Sequence, residues 1–198
     1  MARRRYRLTI RAASTATTRA RIVEAAESEY RAKGVGRTTL RAVAARAVVS
    51  RGSILNHFGD ADGLLGAVLD EVLVSLEVPD ARLLDGAAGP EERARRFVDA
   101  MLRFYDRTSY WWAVLGSELG HPVVQAREVA FWELIGAFRS AALGPIADDR
   151  ITAAAIDALT HPVTLGSLRD RGLSLDEAIE VVGELVEDLL RRHGLAGP

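Results

Sequence analysis

Eight residues between positions 38 and 57, namely Thr38, Thr39, Ser50, Arg51, Gly52, Ser53, Asn56 and His57, form the densest cluster of recognition chemistry in this sequence. Hydroxyls at Thr38, Thr39 and Ser50 suit helix starts, where a side-chain oxygen accepts from free backbone N–H groups. Such N–H groups also attract anions, phosphate among them. Arg51, Ser53 and Asn56 add donors for phosphates and base edges, and Gly52 would let a helix approach its ligand closely. This is chemistry of binding rather than turnover. No nucleophile–base constellation, phosphate loop or metal-ligand cluster is legible, which argues against an enzyme. The chain has no cysteine, excluding disulfides, thiolate zinc sites and a cysteine nucleophile. His121 and His161 each precede a proline and His193 lies in the tail; their spacing is not that of a metal site, and no metal or cofactor is expected.

The charge distribution agrees with a polyanion partner. Residues 1–60 hold 13 basic and 4 acidic residues, a net of +9, whereas 61–198 hold 13 basic and 23 acidic, a net of -10. An N-terminal part that binds a polyanion, joined to a body that does not, follows from this asymmetry. Arg3, Arg4, Arg5, Arg7 and Arg11 stand among small polar residues with no helical apolar period before Ile22, so residues 1–17 are expected to be a flexible basic arm.

The elements that must position the polar cluster read as helices throughout, and the fold class is all-α. A first helix is expected from Thr17 or Thr18 to Gly34, with Ile22, Ala25, Ala26 and Tyr30 buried. Short helices follow from Thr39 to Arg46 and from Ser50 to about Phe58, then a longer one over 60–76. Glu77 to Pro90, with Pro79, Gly86, Gly89 and Pro90, is the clearest break. Beyond it helices are expected over 91–107, 109–119, 122–142, 148–168 and 174–192. Pro162 should kink the fourth of these, and Ser174 with Glu177 should form a capping box on the last. The expected organisation is the arm at 1–17, a helix-turn-helix domain at 18–60 and a helical body at 61–198. No apolar run is long enough for a membrane span and no secretory signal is visible at the N-terminus, so a soluble cytoplasmic protein is expected.

Two short helices joined by a tight turn, after a longer helix and inside a positive segment, are the arrangement of a helix-turn-helix DNA reader. Across Arg19 to Leu65 the sequence resembles the TetR family. The resemblance rests on Ile22, Ala25, Ala26, Gly34, Thr38–Thr39, Val43–Ala44, Val49–Ser50, Gly52 and Asn56–His57–Phe58. It implies a homodimeric, ligand-responsive transcriptional regulator, in the usual case a repressor, that binds a palindromic double-stranded DNA operator and is released by a small-molecule effector. It also implies that His57 contacts phosphate or closes its helix. Three positions depart from the family pattern: Val48 replaces a turn glycine, Leu55 a phosphate-contacting tyrosine, and Ala61 a lysine at the start of the fourth helix. A β-branched residue resists positive φ, so Val48 is expected to distort the turn. These departures motivate an alternative, a helical ligand-binding or interaction protein of the same fold with weak or lost operator recognition; the basic arm could replace the missing phosphate contacts.

The body keeps its aromatics close together in sequence, from Phe97 to Phe138. By the resemblance this is the ligand-binding segment, and Phe104, Trp111, Trp112 and Trp132 are the expected pocket residues, with Glu118, His121 or Arg127 as polar contacts. The apolar stripes of 148–168 and 174–192 make these helices candidates for an interface, and the resemblance implies that they form a dimer as a four-helix bundle.

Overall fold

The computed structural model describes the backbone of residues 2–118 and 120–192, and the side chains within that range other than those of residues 2–12 and 117. Among the described residues there are ten α-helices and no strand. None of these helices is long and apolar enough to cross a membrane. The chain divides into two compact units, residues 1–75 with 113–127, and residues 76–112 with 128–198. His193 and Gly194 lie outside the described residues.

The first unit contains α1 (Ala2–Lys33), α2 (Leu40–Ala47), α3 (Arg51–Phe58) and α4 (Ala61–Ser75). Helix α1 packs against α2 and α4, and α3 against α2 and α4. The core is apolar: Ile22, Ala26, Val43, Ile54, Leu64 and Val68 are each at most 1% exposed. Full burial of a residue such as Ile54 contributes about 1.5–3 kcal/mol.

The beginning of α1 corrects the expectation of a flexible arm and of a helix start at Thr17 or Thr18. The helix is continuous from Ala2. Neither glycine nor proline interrupts the chain before Gly34, and alanine and arginine are strong helix formers. The hydroxyls of Thr17 and Thr18 therefore donate back to the carbonyls of Ala13 and Ser14 inside the helix rather than capping an end.

The second unit contains α5 (Pro90–Arg107), α8 (Arg150–Leu159), α9 (Pro162–Asp170) and α10 (Leu175–Arg192). Helix α5 packs against α9 and α10, and α10 against α8 and α9. Two further helices, α6 (Ser109–Leu115) and α7 (Pro122–Leu143), run across the division between the units in sequence. The expected single helix over 148–168 is two helices. Pro162 starts α9 instead of kinking a longer helix, with His161 as the N-cap and Thr160 as the C-cap of α8. Proline lacks the N–H a helix interior needs but suits the first helical position. The expected helix over 109–119 also ends early, passing into a 3-10 turn at Gly116–Glu118. The capping box of α10 is present: Ser174 N–H donates to Glu177 Oε2 at 2.7 Å, and Glu177 N–H donates to Ser174 Oγ at 3.2 Å.

Candidate nucleic-acid interface and aromatic cluster

Caps define both short helices of the first unit. Thr39 Oγ1 accepts from the Ala42 N–H at 3.2 Å and starts α2; Ser50 Oγ accepts from the Ser53 N–H at 3.0 Å and starts α3. Thr38 is not a cap. Its hydroxyl donates to the Gly34 carbonyl at 2.9 Å and closes the turn after α1. Between α2 and α3, Val48 adopts φ 53° and ψ 51°, and its N–H reaches the Ala44 and Ala45 carbonyls. The turn expected to be distorted thus keeps the left-handed geometry that glycine would take. Valine accepts it at a steric cost of about 1–2 kcal/mol, its side chain 82% exposed.

Helix α3 buries Ile54 and leaves Arg51, Gly52 and Asn56 exposed, with Ser53 and His57 half-buried. Among the described residues Arg51 forms no ion pair. A Cβ at Gly52 would meet only Ser50 Oγ, at 3.7 Å, so nothing within the unit demands glycine there. His57 lies beside Phe58, ring centroids 5.9 Å apart, and the Arg19 guanidinium sits 5.1 Å over the Phe58 ring. Ser50, Arg51, Gly52, Ser53, Asn56 and His57 thus occupy α3 and its N-cap, while Thr39 caps the preceding helix α2.

Sequence reasoning missed the group that holds α2 in place. Glu29 of α1 is 4% exposed, and its carboxylate accepts from Lys33 Nζ at 2.6 Å and from Arg46 Nε at 2.7 Å. Hydrogen bonds from Lys33, then from Arg46, hold the Glu29 carboxyl below the usual carboxylate range, against the opposing effect of burial. A glutamate on the apolar face of an otherwise regular helix was the available signal. Tyr30 beside it is buried, which pushes its hydroxyl up to about 12.

Of the expected pocket residues, Phe104, Trp112 and Trp132 meet around Phe131 in the second unit, and Trp111 packs beside Tyr110. Phe104 stacks on Phe131, centroids 5.9 Å apart and planes at 22°; Trp112 meets Tyr105 at 5.4 Å and Phe131 at 5.6 Å, both edge-on; Trp132 meets Phe131 at 5.1 Å and stacks on His161 at 6.0 Å. Phe104 and Trp111 are buried, at 0% and 3% exposure. The Trp112 and Trp132 indoles, half-buried, donate to Thr108 Oγ1 and Glu128 Oε1. Burial also raises the Tyr105 hydroxyl far above its ordinary value. The expected polar contacts Glu118, His121 and Arg127 fall in the first unit, where each has a partner on another part of that unit. A separate surface cleft of about 290 Å³, lined by Leu83, Arg95, Arg96, Asp99 and Ala100, was not foreseen.

Comparison with known proteins agrees with this architecture. Residues 22–68 match the family described as bacterial regulatory proteins, tetR family. The chain is 39% identical over 83 residues to the HTH-type transcriptional regulator BetI of Burkholderia thailandensis, a match covering 41% of this chain and 43% of that protein. Against the regulator BetI 1 of Chromohalobacter salexigens it is 28% identical over 180 residues, covering 83% and 86% of the two chains. The fold is shared with the structure described as multidrug binding protein EbrR complexed with imidazole, with a TM-score of 0.63, 24% identity, and 91% and 90% of the chains covered. The first of these relatives is matched over less than half its length. The chain is thus all-α, with an N-terminal segment, residues 22–68, that is similar to the DNA-binding module of the tetR family of bacterial regulatory proteins.

Proposed function

We propose that the protein is a ligand-responsive transcriptional regulator, acting as a repressor, that binds a palindromic operator as a homodimer and is released by a small molecule. The observation that carries the reading is the outer face of α3: a helix capped by Ser50 that presents Arg51 and Asn56 to solvent in a segment of net positive charge. A helix of this size fits the major groove, α2 lies across the backbone, and Arg51 supplies a planar donor for a guanine edge. The N-terminal arginines extend α1 and add sequence-independent attraction for phosphate.

The dimer reading draws on apolar side chains left exposed on α8 and α10, with Ile151 at 71%, Leu185 at 44% and Val181 at 39% exposure, as helices destined for a bundle across a two-fold axis would leave them. The effector reading draws on the cluster around Phe104, Trp112, Phe131 and Trp132, with Trp111 beside it, whose faces suit a flat, lipophilic molecule. A relative of the same fold is described as multidrug binding. Ligand seated there would lower DNA affinity only by its differential affinity for the two states of the protein.

Selection of random duplex DNA by the purified protein tests the reading. The expected result is a palindrome whose half-sites lie about one helical turn apart. Arg51→Ala should lose the sequence preference, while deletion of residues 1–11 should weaken binding to all DNA and flatten its salt dependence. Leu55, half-buried on α3, and Ala61, at the start of α4, carry no side-chain donor for phosphate. They favour the second reading, a ligand-binding protein of this fold without operator recognition, and equal binding to every duplex would establish it.

A further inference from the structure

Two glycines of the first unit are approached by charged side chains from far along the chain. Glu118 Oε1 accepts from the Gly36 N–H at 3.1 Å, and a Cβ at residue 36 would lie 3.0 Å from that oxygen. Arg127 pairs with Asp70 through Nε to Oδ1 at 3.0 Å and Nη2 to Oδ2 at 3.2 Å. Its guanidinium crosses α4 where residue 66 is glycine; a Cβ there would sit 2.7 Å from Nη2. Between these contacts, His121 Nδ1 accepts from the Val123 N–H and caps α7, while Nε2 stands 3.5 Å from Asp62 Oδ1.

Asp62, Gly66 and Asp70 are spaced i, i+4, i+8 and form one stripe along α4. The stripe is acidic, small, acidic, and it receives a histidine, a close-lying guanidinium and an ion pair from the start of α7. The opposite need, burial, is met by Leu64, Leu65, Val68, Leu69 and Val72. Charge and shape complementarity therefore both point to a specific seating of the α7 start on α4, with Glu118 holding the loop before α2.

Resting on the DNA-binding reading above, we propose that Arg127 and Glu118 are positioning residues for the recognition helix. They seat α4 and the Gly36 loop, and α4, packed on α3, holds α3 in the arrangement that reads DNA. Neither touches DNA itself, so their loss should weaken affinity without changing how many phosphates are neutralised.

The test is the full chain carrying Glu118→Ala and Arg127→Ala together, read by hydrogen exchange at residues 51–58 and by affinity for the selected duplex at two salt concentrations. An exposed ion pair of this kind changes an equilibrium by up to about fivefold. The double variant is expected to exchange about tenfold faster in α3 and to bind about tenfold more weakly, with an unchanged salt slope. The charge-swapped pair Asp70→Arg with Arg127→Asp should recover most of both losses relative to Arg127→Asp alone. Unchanged exchange, unchanged or raised affinity, or a flattened salt slope would overturn the proposal. If the unmodified protein selects no duplex, the DNA-binding reading fails instead, and the exchange measurement with its charge-swap rescue still decides whether these residues position α3.

Discussion

The first unit and the aromatic cluster of the second solve the same problem, fixing a few side chains in place, by different means. In the first unit the instructions are local. Thr39 and Ser50 each cap the helix that follows them, Val48 sets the turn between, and Glu29 ties α2 to α1. In the second unit Phe104, Trp112 and Phe131, from different helices, hold one another by ring contacts. Eight-residue helices such as α2 and α3 have too little buried area to be fixed by packing alone, so they need caps, and caps are written in adjacent residues. Ring packing is written across the whole chain.

The largest effect that could break this comparison is expected at Phe104. With the ring fully buried against Tyr105 and Phe131, Phe104→Ala should destabilise the protein by about 3–5 kcal/mol, measured as a fall in the urea midpoint at constant slope. A cost below about 1 kcal/mol would mean that the ring borders open space rather than packed neighbours, and the second unit would then be organised around a cavity.

A smaller effect belongs to Glu29 and carries a pH signature. Its carboxyl is held below its ordinary range in the folded protein, so the stability it contributes is complete above the ordinary carboxylate range. That contribution is lost as pH falls through this range toward the lower folded value. Glu29→Gln should therefore lower the urea midpoint at neutral pH and flatten its fall in acid. Parallel acid limbs for the two proteins would remove Glu29 from the local instructions that hold the first unit.

The contrast also explains what could be read in advance. The starts of α2, α3 and α10 were legible because Thr39, Ser50 and the Ser174/Glu177 box announce them. The aromatic residues were legible as a group, but whether Trp111 or Trp132 faces a core or a ligand depends on partners distant in sequence, His161 among them. Arg127 and Glu118 were read as polar companions of the aromatics because they are neighbours in sequence; their contacts are with Asp70 and Gly36. The continuous α1 was missed for another reason. Apolar periodicity marks a helix only where it packs, and before Ile22 the chain has none, although its alanines and arginines favour helix throughout.

Ser174 offers a local instruction inside the second unit, and so a control for the comparison. Removing its hydroxyl frees the Glu177 N–H at the start of α10, and Ser174→Ala should cost about 1 kcal/mol in thermal or urea unfolding. An effect that small beside Phe104→Ala would show that caps refine the second unit while packing decides it. Equal effects would erase the distinction between the units.

The smallest expected effect runs in the stabilising direction. Val48 holds a left-handed conformation with its side chain in solvent, so deleting that side chain removes strain and little packing. Glycine gives back part of the gain through its freedom in the unfolded chain, leaving Val48→Gly more stable by about 0.5–1 kcal/mol. The turn already has the geometry glycine would adopt, so affinity for the selected duplex should be unchanged by the substitution. Stabilisation with unchanged affinity would show that the strain at Val48 is borne by the caps at Thr39 and Ser50 without loss to recognition. Stabilisation accompanied by a change in affinity would show that the valine side chain itself takes part at the DNA surface, placing a recognition residue in the turn.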